Sequence, residues 1–105
     1  GLWAQLRLQE AGGGLRAAGD SVTLSCRGPS STFEGYLIQW YRQAPGGGLE
    51  WVFFISFSGS IKKYGAGVEG RATASWDSFQ LQSSLFLWAL QPSDSARYFC
   101  AIHTG

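Results

Sequence analysis

Three short runs in which apolar and polar residues alternate constrain the fold of this chain most, and two of them end in its only cysteines. The inward positions of the runs are Val22, Leu24 and Cys26, then Ile38 and Trp40, and finally Asp94, Ala96, Tyr98 and Cys100. A period of two places every second side chain on one face of a strand. Each run therefore predicts a half-buried β-strand whose cysteine or tryptophan faces a common core.

Length and composition indicate a single folded domain. A chain of 105 residues that is 45% apolar buries roughly 60 to 65% of its unfolded surface in one core, and it is too apolar for a disordered tail. The net charge of +1 gives no reason to expect nucleic acid or an acidic membrane surface as a partner. No apolar run approaches the roughly 20 residues of a transmembrane helix, so we expect no membrane contact by this segment.

Several short strands are predicted, separated by turns rich in glycine and proline. They lie near residues 6–9, 15–17, 21–27, 38–43, 49–56, 62–64, 71–75, 81–88 and 96–101. Glycine tolerates positive φ and proline fixes φ near −65°, so many short strands with such turns predict an all-β, Greek-key antiparallel β-sandwich. The glycine clusters at 12–14 and 46–48 lack the following helix and lysine of a phosphate-binding loop, and we interpret them as turns.

Catalytic activity is not expected from this sequence. His103 is the only histidine, and both a Ser-His-Asp arrangement and most zinc sites require one. It lies close to the chain terminus, where fraying prevents the precise placement that catalysis needs. We therefore predict no enzyme, no metal site and no cofactor.

Longer segments resemble the variable domain of immunoglobulin heavy chains. The matching segments are 5–10 (QLRLQE), 12–15 (GGGL), 24–26 (LSC), 40–46 (WYRQAPG), 48–52 (GLEWV) and 94–101 (DSARYFCA). The resemblance implies a V-type β-sandwich that serves as the antigen-recognition region of an immunoglobulin, extracellular and either secreted or displayed at the plasma membrane. The alternative is a V-type domain of an immunoglobulin-superfamily receptor or adhesion protein that is not an antigen receptor.

The same resemblance implies a disulfide between Cys26 and Cys100 that joins the two sheets. Trp40 would pack against the disulfide, and the Tyr98 hydroxyl would bond to backbone at a corner of the sandwich. Such a bond forms in a secretory compartment, and two free core thiols are the alternative.

A charge pair is also implied between Arg71 and Asp94. In the family these two residues close the bottom of the sandwich. An exposed pair is worth roughly 0 to 1 kcal/mol, and a half-buried bidentate pair more. We predict a structural role for it.

Function in this family resides in loops at one end of the rigid sandwich. The candidate antigen-binding residues that the resemblance implies are Thr32, Glu34, Gly35 and Tyr36 in a first loop, and Phe54, Ser56, Phe57, Ser58, Ser60, Lys62 and Lys63 in a second. Aromatic side chains give contact area at a low entropic cost, and small polar ones adapt to the ligand. Composition alone leaves open that these are ordinary polar loops. The antigen is not identified by the sequence.

One sheet face is predicted to bind a partner. Tyr41, Gln43, Leu49, Trp51 and Phe99 should point away from the core and form one solvent-exposed apolar patch. In heavy-chain variable domains this face pairs with an immunoglobulin light-chain variable domain, which is the partner implied here. Tyr41 is similar to the residue that single-domain heavy-chain antibodies carry at this position. Leu49 and Trp51 are instead similar to the residues of heavy-chain domains that pair with a light chain.

Trp76, Trp88 and Ser83 depart from the family pattern. Trp76 and Trp88 stand where polar or basic residues are usual, and alternation puts Phe86 and Trp88 on the outer face as an aggregation liability. Ser83 takes an inward position that normally holds a large apolar side chain. We expect an underfilled site there, which would cost roughly 2 kcal/mol or more.

The chain ends are interpreted as those of an unrearranged variable segment. Residues 1–4 precede the expected mature start at Gln5, as a leader remnant or other N-terminal extension, and residues 5–101 would form the domain. Residues 102–105 would be the truncated start of a third loop, with the final strand of the sandwich missing. Residues 97–101 are therefore expected at a sheet edge with unpaired backbone groups.

Overall fold

The computed structural model describes residues 9–10, 19–27, 36–56 and 58–104, which form two antiparallel β-sheets. The strands are β1 (Gln9–Glu10), β2 (Val22–Arg27), β3 (Tyr36–Gln43), β4 (Leu49–Ser56), β5 (Lys62–Tyr64), β6 (Ala72–Asp77), β7 (Gln82–Leu87) and β8 (Arg97–Thr104). The larger sheet has the order β1-β8-β3-β4-β5 and the smaller one β2-β7-β6. A short 3-10 helix, Pro92–Asp94, precedes β8. The predicted all-β sandwich is confirmed.

The inward side chains of both sheets meet in one core, as the alternation predicts. Ile38 and Trp40 of β3 are buried, and the Trp40 ring stacks on Phe53 of β4 with ring centroids 5.4 Å apart. Leu85 and Leu87 of β7 face them from the smaller sheet and are fully buried. Burial of each such side chain contributes roughly 1.5 to 3 kcal/mol.

A disulfide ties the two sheets together across this core. It joins Cys26 of β2, in the smaller sheet, to Cys100 of β8, in the larger one, and their Cα atoms are 6.4 Å apart. Both cysteines are buried. The bond closes a loop that runs through most of the chain, which constrains the unfolded state.

A β-bulge in β4 sets which of its side chains face outward. Trp40 pairs with Phe53, but the next residue, Tyr41, pairs with Trp51, so Val52 is an extra residue on β4. Val52 and Phe53 are consecutive and both buried. The bulge thus breaks the strict alternation of β4 and keeps Trp51 opposite Tyr41.

β8 is not the edge strand that was expected at residues 97–101, because β1 covers it at residues 99 and 100. β3 pairs along one side of β8, and on its other side residues 9–10 of β1 pair with residues 99–100. Backbone groups in that position therefore find a partner near the start of the chain. β8 also continues to Thr104, so residues 102–104 are strand where the start of a loop was expected.

The inward position of Ser83, where an underfilled site was expected, carries a buried hydrogen bond. Ser83 is fully buried, and its hydroxyl oxygen accepts a hydrogen bond from the Trp40 indole Nε1 at 3.0 Å. In the register of the smaller sheet it lies between Cys26 of β2 and Trp76 of β6. Trp76 is half-buried against the core, so a large side chain stands beside the small one.

Phe86 and Trp88 lie on the outer side of the smaller sheet. Phe86 is 41% exposed and Trp88 36% exposed, and their ring centroids are 5.6 Å apart. Their placement agrees with the alternation of β7, in which Leu85 and Leu87 face inward.

Candidate functional site

The five side chains predicted to bind a partner lie together on the outer face of the larger sheet. Tyr41 of β3 is in register with Trp51 of β4 on one side and with Phe99 of β8 on the other. Gln43 is in register with Leu49. Leu49 is 58% exposed and Gln43 is also exposed. Tyr41, Trp51 and Phe99 are less exposed, because each is half-buried. The expected solvent-exposed patch is therefore partly covered at its aromatic residues.

Neighbouring side chains fix the aromatic part of this face. The Phe54 ring lies 6.1 Å from the Trp51 ring, and the Arg97 guanidinium stands 6.0 Å above the centre of Phe99. Such a cation–π contact is worth about 0.5 to 1 kcal/mol at an exposed site. The Trp51 indole Nε1 is buried and, among the described residues, has no hydrogen-bond acceptor. Burial also raises the pKa of the Tyr41 hydroxyl.

The described members of the predicted antigen-binding set lie toward one end of the sandwich, but several lie in strands rather than in a loop. Phe54 and Ser56 belong to β4, and Lys62 and Lys63 belong to β5. Tyr36 begins β3 at the same end, where it is in register with the end of β8. Thr32, Glu34, Gly35 and Phe57 lie outside the described residues.

Serine hydroxyls hold the turn between β4 and β5. Ser56 Oγ lies 3.0 Å from Ser58 Oγ, which lies 2.6 Å from Ser60 Oγ. Ser56 Oγ also accepts a hydrogen bond from the Ile61 amide at 3.2 Å, and Gly59 has a φ of +77°, which favours glycine. Ser56 itself is buried. It was expected on the binding surface, but it supports the turn from below.

The opposite end of the sandwich holds an ion-pair network that is larger than the predicted pair. Arg71 Nη1 and Nη2 donate to Asp94 Oδ2 at 2.7 Å and to Oδ1 at 3.0 Å. Arg42, which is only 3% exposed, donates to Asp94 Oδ1 at 2.8 Å and to Glu50 Oε1 at 2.8 Å. The Tyr98 hydroxyl donates to the Asp94 carbonyl oxygen at 2.7 Å, which is the backbone bond expected of it.

Sequence reasoning missed Arg42 and Glu50, although a signal was present. Arg42 follows Ile38 and Trp40 at a spacing of two, so the alternation already placed a guanidinium at an inward position. A buried charge requires a partner and hydrogen bonds. That requirement predicts the acidic residue opposite Arg42 on the next strand, which is Glu50.

The match to known families agrees with this geometry. Residues 15–105 match the model of the immunoglobulin V-set domain. The chain belongs to the immunoglobulin V-set family. V-set domains are typically binding modules without enzymatic activity, and they are generally extracellular or displayed at the cell surface. Among the residues that the structure describes, no helix is long and apolar enough to cross a membrane.

The network shifts the protonation equilibria of this V-set domain. Burial by itself raises the pKa of Asp94, but hydrogen bonds from the two guanidinium groups and the Gln91 amide outweigh burial and lower it to about 2. Burial likewise lowers the pKa of Arg42, but the acceptors around its guanidinium outweigh that effect and raise it. Both groups are therefore charged at neutral pH.

Acid should weaken this V-set domain through Asp94. Its pKa falls from 3.8 to about 2 on folding, so the unfolded state binds more protons between these values. The resulting stabilisation, about 2 kcal/mol, is present above pH 4 and is lost as the pH falls toward 2. Urea denaturation between pH 5 and 2 measures it. The difference in unfolding free energy between the wild type and Asp94→Asn should shrink over that range, and a constant difference would contradict this assignment.

Proposed function

We propose that this V-set domain is the antigen-recognition variable region of an immunoglobulin heavy chain. It pairs with a light-chain variable domain through the outer face of the larger sheet and binds antigen through the loops at one end. The observation that carries the proposal is the register of β8, β3 and β4, which aligns Phe99, Tyr41 and Trp51 in one row beside Leu49. The domain acts by binding and has no enzymatic activity.

The composition of this face supports pairing with another domain. An interface core is depleted of charge and enriched in aromatic residues and arginine. The aromatic row, Leu49 and the Arg97 guanidinium over Phe99 fit that description. Gln43 donates its side-chain amide to the Gly47 carbonyl oxygen at 2.9 Å, so the neighbouring turn holds its side chain in place. The remaining amide oxygen of Gln43 is available to a donor on the partner.

The binding end supports recognition by preformed loops. The hydroxyl contacts among Ser56, Ser58 and Ser60 fix the turn before a ligand arrives. A preorganised loop loses less entropy on binding, which increases its affinity. The exposed Lys62 and Lys63 follow that turn in β5 and add charge to the surface.

Disruption of the sheet face should abolish pairing. A variant with Leu49→Arg and Trp51→Gly loses an exposed apolar side chain and an aromatic anchor, and it gains a charge at the interface. We expect it to bind soluble light-chain variable domains at least about a hundredfold more weakly than the wild type in sedimentation equilibrium.

The control and the alternatives are built into the same measurement. Phe86→Ser removes an exposed ring from the other sheet and should leave light-chain binding unchanged. Association that survives the double substitution would exclude this face as the pairing surface. Tight binding to V-type domains of receptors or adhesion proteins, with none to light chains, would instead support the alternative of a receptor or adhesion domain.

A further inference from the structure

The outer face of the smaller sheet exposes two aromatic side chains along its central strand. β7 is the middle strand of the order β2-β7-β6. Phe86 of β7 is 41% exposed, and Trp88, which follows the strand directly, is 36% exposed. Their ring centroids are 5.6 Å apart. Two rings that lie together on a sheet face, outside the core, indicate an interaction surface.

The two outer strands of this sheet leave room for a partner on either side of the rings. Thr23 of β2 and Thr73 of β6 are both in register with Phe86. On the next level toward the candidate binding loops, Ser25 and Ser75 are in register with a serine of β7. Two packed sheets lie about 10 Å apart. Hydroxyl side chains of this size allow that approach, while the rings fill the centre of the contact.

Opposite charges stand at the two edges of this face. Arg27 ends β2 and Asp77 ends β6, and both are in register with Gln82 of the central strand. Both are exposed, and each follows an inward residue, Cys26 or Trp76, so each points to the outer face. They lie two strand spacings apart, roughly 10 Å. No ion pair joins these two described residues within the chain.

Both charged groups can bind a second molecule. The Phe79 and Gln80 amides donate to Oδ1 of Asp77, at 2.9 and 3.1 Å, and hold the carboxylate in one orientation. Among the described residues, its Oδ2 atom accepts no hydrogen bond. In the same part of the chain, the Arg27 guanidinium has no acceptor. Each group is therefore able to form a charge-assisted hydrogen bond with a partner of opposite charge.

A twofold axis that runs along β7 makes this face complementary to itself. Rotation about that axis places β2 of one copy over β6 of the other, and β7 over β7. Arg27 of each copy then faces Asp77 of the other copy, which gives two reciprocal ion pairs. The Phe86 and Trp88 rings pack across the centre. An interface between identical copies requires such an arrangement, because the same patch serves both sides of the contact.

We propose that this chain forms a homodimer through the outer face of the smaller sheet, with a second copy of itself as the partner. The face measures roughly 15 by 20 Å, which is less than the roughly 800 Å² per partner of a standard interface. The dimer is therefore weak, with a Kd on the order of 100 µM. It uses neither the face proposed for light-chain pairing nor the candidate binding loops. The axis along β7 points the loop ends of both copies in one direction, which favours binding to a repetitive ligand.

Sedimentation equilibrium of the full chain at concentrations up to about 1 mM tests for the dimer. The chain carries Leu49→Arg, so that the apolar face of the larger sheet does not contribute, and we expect dimers in that background. Phe86→Ser should weaken dimerisation at least about tenfold, because it removes the central ring. Ile61→Ser is the matched control, since Ile61 is 57% exposed and lies in the larger sheet's turn before β5. It should change the Kd less than about twofold.

Exchange of the two charges tests the orientation of the copies. Arg27→Asp places acid against acid and Asp77→Arg places base against base, so each variant alone should dimerise at least about tenfold more weakly. An equimolar mixture of the two variants should recover the association as a heterodimer, because both contacts then join opposite charges. Thermal unfolding of each variant checks that it is folded before it is mixed.

Three results would overturn the proposal. A chain that stays monomeric at about 1 mM would exclude a second copy as the partner, and the face would then fit a different protein. Dimers that are indifferent to Phe86→Ser would place the contact elsewhere. A mixture of folded charge variants that associates no better than its components would exclude the twofold axis along β7. Light-chain pairing uses the other sheet, so none of these results depends on the proposed function.

Discussion

Replacement of Asp94 by alanine should lower the free energy of unfolding by about 3 to 5 kcal/mol, the usual cost of removing one partner from a buried ion pair. The carboxylate bridges Arg42, which is 3% exposed, and Arg71. Its loss leaves a buried guanidinium with only the Glu50 carboxylate and the Tyr98 hydroxyl as acceptors. It also removes the acceptor of the Gln91 amide at the start of the short helix. Urea denaturation at pH 7 measures the change.

Asp77→Ala is the matched control for this prediction. Asp77 is exposed, and among the described residues its carboxylate accepts hydrogen bonds from amides of its own turn alone. We expect its loss to cost about 1 kcal/mol, as for the loss of a capping side chain. If Asp94→Ala were no more costly than Asp77→Ala, the network would not stabilise the fold as argued.

Replacement of Ser83 by leucine should also destabilise the domain, by about 2 to 6 kcal/mol. The family pattern suggests the opposite sign, because a large apolar residue is usual at this inward position. In the structure the site is fully buried and the serine hydroxyl is the acceptor of the Trp40 indole. Leucine removes that acceptor, which costs about 1 to 3 kcal/mol, and its extra volume strains the site by a similar amount.

A double-mutant cycle isolates the hydrogen bond from the packing. Ser83→Ala deletes the acceptor without adding volume, and Trp40→Phe deletes the donor. The two side chains should interact favourably in the wild type. The double variant should therefore lose less unfolding free energy than the two single variants lose in sum. Thermal unfolding of the wild type, the two single variants and the double variant gives the coupling free energy. A Ser83→Leu variant more stable than the wild type would show that the site is underfilled after all.

The strand pattern was predictable because period two is a local property of sequence. The predicted bounds of β4 and β5, 49–56 and 62–64, are those of the structure, and the other described strands differ by a few residues at their ends. The inward positions of Cys26, Trp40 and Cys100 follow from the same alternation. Their contact across the core was implied by the resemblance to a known family rather than by the period alone.

The misses share a physical origin in contacts between distant strands. The bulge at Val52 depends on how β3 and β4 align, and no local pattern marks it. The hydroxyl of Ser83 is an acceptor only because Trp40, from the other sheet, reaches it. The pairing of β1 with β8 joins segments from near the two ends of the chain.

The sequence by itself determined the strands, the side chains that face inward and the V-type sandwich, because alternation, turn residues and cysteine spacing act over short distances or recur in the family. Only the tertiary structure decided how charge and polarity are satisfied. Arg42 became part of a network because Asp94 and Glu50 approach it from two other segments. Phe79 is exposed because it lies in the turn beyond Asp77 and Gln82, the paired ends of β6 and β7. These outcomes depend on three-dimensional proximity, which a single sequence does not encode locally.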